Sequence, residues 1–133
     1  MKQNPMLTIA SLLSILFLTF HLADDIRRGF EPGGPRVYIG ILILFVWLYG
    51  TLALAGRRSG YIIMLVGSIL GAGVPLIHMT GKGLVGGRIA GSNAVFFWVW
   101  TFLMLGLTSL FSLVLSARGL WSLRRTRDKT ITE

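Results

Sequence analysis

AVFFWVWTFLMLGLTSLFSLVLSA, residues 94–117, contains no acidic or basic side chain along its whole length. A helix rises 1.5 Å per residue, so about 20 apolar residues cross the roughly 30 Å hydrocarbon core of a bilayer. This stretch is long enough to do so with residues to spare. Three others resemble it: Met6–Ala23, Val37–Ala55 and Tyr61–Thr80 carry no formal charge. None alternates polar and apolar residues, as the strands of a membrane barrel would. Helices satisfy every backbone group within the segment, which lipid demands. The expected fold is therefore an all-α integral membrane protein, a four-transmembrane-helix up-down bundle.

The composition agrees. Of the 133 residues, 53% are hydrophobic and only 14% charged, against about 25% charged in soluble domains. The chain is short enough for one domain. It divides into spans at 6–23, 37–55, 61–80 and 94–117, followed by a basic tail, 118–133. With no cysteine, disulfides, thiolate metal sites and cysteine nucleophiles are excluded. A net charge of +8 could suggest nucleic acid, but the basic residues lie in short segments beside the spans. There they act as topology signals and headgroup contacts, so no nucleic-acid partner is expected.

The first span follows Lys2 and resembles a signal sequence. Its apolar stretch exceeds the 7–15 residues usual for one, and cleavage after Ala23 would place His21 where a small residue is wanted. An uncleaved span is expected. Glu31-Pro32-Gly33-Gly34-Pro35 breaks helix between spans one and two, and Gly56–Gly60 (GRRSG) forms a tight turn between spans two and three. Gly81–Asn93 reads as a glycine-rich flexible loop.

Orientation follows from the Lys and Arg tally. The termini and the middle turn hold Lys2, Arg57, Arg58, Arg118, Arg124, Arg125, Arg127 and Lys129. The other side holds Arg27, Arg28, Arg36, Lys82 and Arg88. The excess puts both termini in the cytoplasm. Tyr38, Trp98 and Trp100 would then anchor the outer interface, and Tyr61 and Trp121 the inner one.

Packing signals lie on three spans. Gly67 and Gly71 form a small-xxx-small pair that lets helix backbones approach. Thr8, Ser11, Ser14, His21 and Asp25 share a stripe on the first span, and Ser109, Ser112 and Ser116 a stripe on the fourth. Such hydroxyls usually make modest interhelical hydrogen bonds, about 0.6 kcal/mol each.

The candidate site is the extracytoplasmic mouth. His21, Asp24, Asp25, Arg28 and Arg36 fall at the outer end of spans one and two, with His78, Lys82 and Arg88 at the outer end of spans three and four. His21 and Asp25 are four apart and share a helix face. If spans one and three pack through their small faces, His78 joins them. Three uses of this cluster compete. The carboxylates could simply pair with neighbouring arginines at the interface. His21, Asp25 and His78 could bind a divalent metal such as zinc, since nitrogen and carboxylate oxygen suit it. The basic residues could instead hold an anionic headgroup or small solute.

No H-E-x-x-H, nucleophile elbow, phosphate loop or dinucleotide fingerprint occurs. The leading expectation is a non-enzymatic membrane protein that binds a lipid headgroup, a small molecule or a membrane-protein partner. The alternatives are a membrane-embedded enzyme using His21, Asp25 and His78, and a small transporter acting as a homo-oligomer.

Overall fold

The computed structural model describes residues 4–29, 34–79 and 95–131, with all their side chains except those of residues 36, 78, 79 and 126–131. Among these residues the only regular structure is helix: α1 (Pro5–Arg27), α2 (Pro35–Leu52), α3 (Arg58–Met79) and α4 (Val95–Ile131). Helices α1, α3 and α4 are long and apolar enough to cross a membrane, and the apolar stretch Val37–Leu52 in α2 is shorter.

Local chemistry sets the helix ends. Asn4 caps α1, its side chain accepting from the N–H groups of Met6 and Leu7 at 3.1 and 3.4 Å. Pro5 follows in the first turn, where its missing N–H has no helical partner to lose. At the other end Gly29 adopts φ 69°, the left-handed conformation that closes helices at little cost only for glycine. Because α1 runs on to Arg27, Asp24 and Asp25 are helical residues. The apolar run Val37–Ala55 outlasts its helix: α2 ends at Leu52, and the chain turns through Gly56 at φ 75°. The arginine of that turn nearest α3, Arg58, opens the helix itself. The basic tail continues α4 without a break as far as Ile131.

Cross-helix pairs show the order to be up-down-up-down. Ser11 meets Thr51 and Trp47 while Gly40 faces Leu22, so α1 and α2 are antiparallel. Gly50 faces Ile63, and Gly67 faces Trp47, between α2 and α3. Ser68 bonds Ser112, and Tyr61 lies over Gly119, between α3 and α4. Helix α4 packs along both α1 and α3, and α2 touches α1 and α3 but not α4. The helices form a ring in chain order, with α1 and α3 on the short diagonal. One end, here the base, holds the start of α1 and the long end of α4. The other end is the mouth.

The interior inverts the pattern of a soluble core. Among the described residues, buried polar side chains outnumber buried apolar ones: Ser11, Ser14, Thr51, Ser68, Ser109, Ser112 and Ser116 are fully enclosed. Leucines, isoleucines and phenylalanines cover the outside. Water would make that arrangement unstable, but lipid makes it favourable. Lipid offers apolar side chains a matching solvent, so packing and interhelical hydrogen bonds hold the helices together.

At the centre, Trp47 Nε1 donates to Ser11 Oγ at 2.8 Å, Ser11 lies 2.7 Å from Thr51 Oγ1, and Thr51 donates to the Trp47 carbonyl at 2.8 Å. Every polar atom in this ring has a partner, which is why an indole can lie inside the bundle. The Gly67–Gly71 face receives the Trp47 ring and Ser109, where any Cβ would collide. The glycines do serve packing inside the bundle, but they meet α2 and α4. The expected joining of spans one and three through small faces is not observed, because a large indole fills the glycine groove. Trp98 and Tyr61, expected as interface anchors, are buried at 3% exposure. Tyr61 packs on Gly119, and Trp98 packs at the mouth.

Candidate functional site

The last two turns of α1 and its capping residue, Arg28, carry four ionisable side chains on or near the inward face. His21 is 3% exposed, and Asp24 and Asp25 are 7% exposed. The Arg28 side chain is only slightly more open, at 12%. Helical spacing pairs them in two ways. Asp24 accepts from Arg28 Nε at 2.6 Å, a short charge-assisted bond. His21 Nε2 lies 3.4 Å from Asp25 Oδ2. The second oxygen of Asp25 is buried with no hydrogen-bond partner among the described residues.

Helix α4 closes this cluster with aromatic rings. Trp98 and Phe102, one turn apart, stack at 4.9 Å, and the His21 ring sits 5.9 Å from each. The imidazole is thus walled by apolar faces and held by a carboxylate on its own helix. Val74 of α3 packs against the same aromatic pair.

Beside the cluster, between α1 and α4, a groove of about 380 Å³ opens at the mouth, lined by Phe20, Ala23, Asp24, Arg27 and Phe97. The Phe20 and Phe97 rings lie 6.2 Å apart and form its apolar part. Arg27 stands at the rim with 75% of its side chain exposed, 3.8 Å from Asp24. Arg28 already engages Asp24 at close range, so Arg27 is only loosely held. The groove therefore offers an apolar slot under a guanidinium, the complement of an amphiphile with an anionic head.

Of the residues singled out from sequence, His21, Asp24, Asp25 and Arg28 come together. For Arg36 and His78 only the backbone is described, at the mouth ends of α2 and α3. Lys82, Arg88 and the glycine-rich loop lie outside the described residues. No group of three His, Cys, Asp or Glu suited to a metal occurs among the described residues. His21 and Asp25 make a pair 3.4 Å apart, and the third member of the expected metal set, His78, has its side chain outside the described residues. Sequence reasoning placed Arg27 at this end as a pairing partner for Asp24 or Asp25, and the 3.8 Å approach to Asp24 agrees. It passed over Phe20, Phe97, Trp98 and Phe102 as site residues. The aromatic residues of α4 could not be found from sequence, because only tertiary packing sets their level against α1.

Comparison with protein-family models, with curated proteins and with solved structures finds no match.

Proposed function

We propose that this chain is a small multi-pass membrane protein of four spans, with both termini cytoplasmic, that binds a phosphate-bearing amphiphile such as a phospholipid at its extracytoplasmic mouth. The observation that carries the proposal is the α1–α4 groove, with Arg27 exposed above Phe20 and Phe97. The phosphate would meet Arg27, and an acyl chain would lie against the two phenylalanine rings. The Asp24–Arg28 pair and the His21–Asp25 pair act as the rigid wall behind it.

The alternatives have less geometric support. A catalytic His21–Asp25 pair would need to reach its substrate, yet His21 is enclosed by Trp98 and Phe102 and does not line the groove. A transport path would need polar continuity from mouth to base. Between His21 and the Ser14–Thr108 hydroxyls, α4 places Phe102 and Leu105, both fully buried, as an apolar layer.

A fluorine probe reads this site alone. With 4-fluorophenylalanine at position 97, titration with a lysophospholipid in neutral detergent should move the ¹⁹F resonance saturably. Arg27→Gln should weaken the apparent affinity about tenfold or more, as expected for one lost charge-assisted bond. A resonance that does not respond, or a titration unchanged by Arg27→Gln, would exclude the groove as the binding site.

A further inference from the structure

The base carries a second charged groove that the mouth site does not involve. It lies between α3 and α4, has a volume of about 550 Å³, and is lined by Leu65, Ala117, Leu120, Trp121, Arg124 and Arg125. The five α4 residues recur at steps of one and three, so they follow one face of the helix. Their chemistry is graded along the axis. Ala117 and Leu120, with Leu65 opposite, form an apolar floor. Trp121 comes next and is 64% exposed. Arg124 and Arg125 close the open end, both exposed. The Arg125 guanidinium lies 5.5 Å from the Trp121 ring centroid, close enough for a cation–π contact that holds it near the groove.

The helix lengths explain why the groove opens here. Tyr61 of α3 stands level with Gly119, and α3 begins only three residues earlier, at Arg58. Helix α4 continues to Ile131, beyond the reach of α3. Arg57, Arg58 and Arg118 are exposed around the same end. An apolar floor, an amphipathic ring at mid-depth and paired guanidinium groups above follow the polarity of a phospholipid from chain to phosphate. The basic surroundings favour a lipid of net negative charge over a zwitterionic one.

We infer that the α3–α4 groove at the base is a binding site for an anionic phospholipid of the adjacent leaflet, its phosphate held by Arg124 and Arg125 and its chain laid along Leu65 and Leu120. Trp121 stacks at the glycerol level between them.

Quenching by brominated phospholipids tests this at one residue, because the difference between wild type and Trp121→Phe isolates the Trp121 emission. The full-length protein is reconstituted in vesicles containing dibrominated phosphatidylglycerol or, at equal mole fraction, dibrominated phosphatidylcholine. Trp121 should show a roughly thirtyfold preference for the anionic quencher, the scale set by two basic contacts. Arg124→Gln combined with Arg125→Gln should abolish that preference. Raising the salt should shrink it in the protein with both arginines intact, a measurement that needs no arginine variant. Equal quenching by both lipids, a preference that survives the double substitution, or one that is insensitive to salt would overturn the assignment. None of these outcomes depends on Phe97 or Arg27, so the base and mouth sites fail or stand separately.

Discussion

At the residue scale, the mouth shows how spacing on one helix divides like charges into different roles. Arg27 and Arg28 are adjacent in sequence, and both approach Asp24. Four-residue spacing brings Arg28 to 2.6 Å with only 12% of its side chain exposed. Three-residue spacing leaves Arg27 at 3.8 Å and 75% exposed. The first is a buried ion pair, where removing one partner strands the other charge. Asp24→Asn should therefore destabilise the fold by about 3 kcal/mol. Arg27→Gln should change stability by less than about 0.5 kcal/mol, as an exposed substitution does. Unfolding measured by steric trapping in bicelles would separate the two. Equal losses would mean that Arg27, too, supports the fold.

At the element scale, two glycines of the third helix separate close packing from open space. Gly67 faces the Trp47 indole, with no room for a methyl group. Gly73, also in α3, has no atom within 4 Å of where a Cβ would stand. Gly67→Ala should cost about 2 kcal/mol through overpacking. Gly73→Ala should be neutral or stabilising by a few tenths of a kcal/mol, since alanine is the better helix former. Thermal unfolding of the two variants in one detergent, followed by helical circular dichroism, makes the comparison. A milder effect at Gly67 than at Gly73 would contradict the Trp47 packing. The same indole explains why α1 and α3 do not close against each other along the small face of α3. Its Nε1–H needs an acceptor, and Ser11 of α1 supplies it from across the ring.

At the scale of the whole molecule, the antiparallel order of the four helices places the start of α1, the α2–α3 turn and the long end of α4 together at the base. If all four helices span the membrane, one face of the bilayer sees all three. The chain has no cysteine, so single cysteines can be introduced without background. A cysteine at Ser59 and one at Ser122, both exposed, should react with an impermeant maleimide from the cytoplasmic side only. One at Gly29 should react only from the opposite side. Labelling of the Ser59 and Gly29 positions from the same side would show that α2, the helix between them, does not cross. The basic base fits the cytoplasmic assignment, because anionic lipid and the positive-inside bias act on the same arginines.

Some of this was legible in the chain by itself. The uncharged runs determine four helices, three of them long and apolar enough to span, because lipid leaves the backbone no other partner. The turn residues determine where the helices part, and four-residue spacing determines that His21 and Asp25 share a face. The Ser stripes announce interhelical contact, and Ser11, Ser14, Ser68 and Ser112 make such bonds, whereas the Ser109 and Ser116 hydroxyls of the α4 stripe have no hydrogen-bond partner among the described residues. Ser68 had no stripe of its own to reveal it. Only the tertiary structure decided that Trp98 turns inward onto His21, that Trp47 occupies the glycine face, and that Phe97 and Phe20 frame a groove beneath Arg27. Each of those depends on the axial level of one helix against another. Periodicity along a single helix gives the face of a residue, but the level comes from packing between helices far apart in sequence.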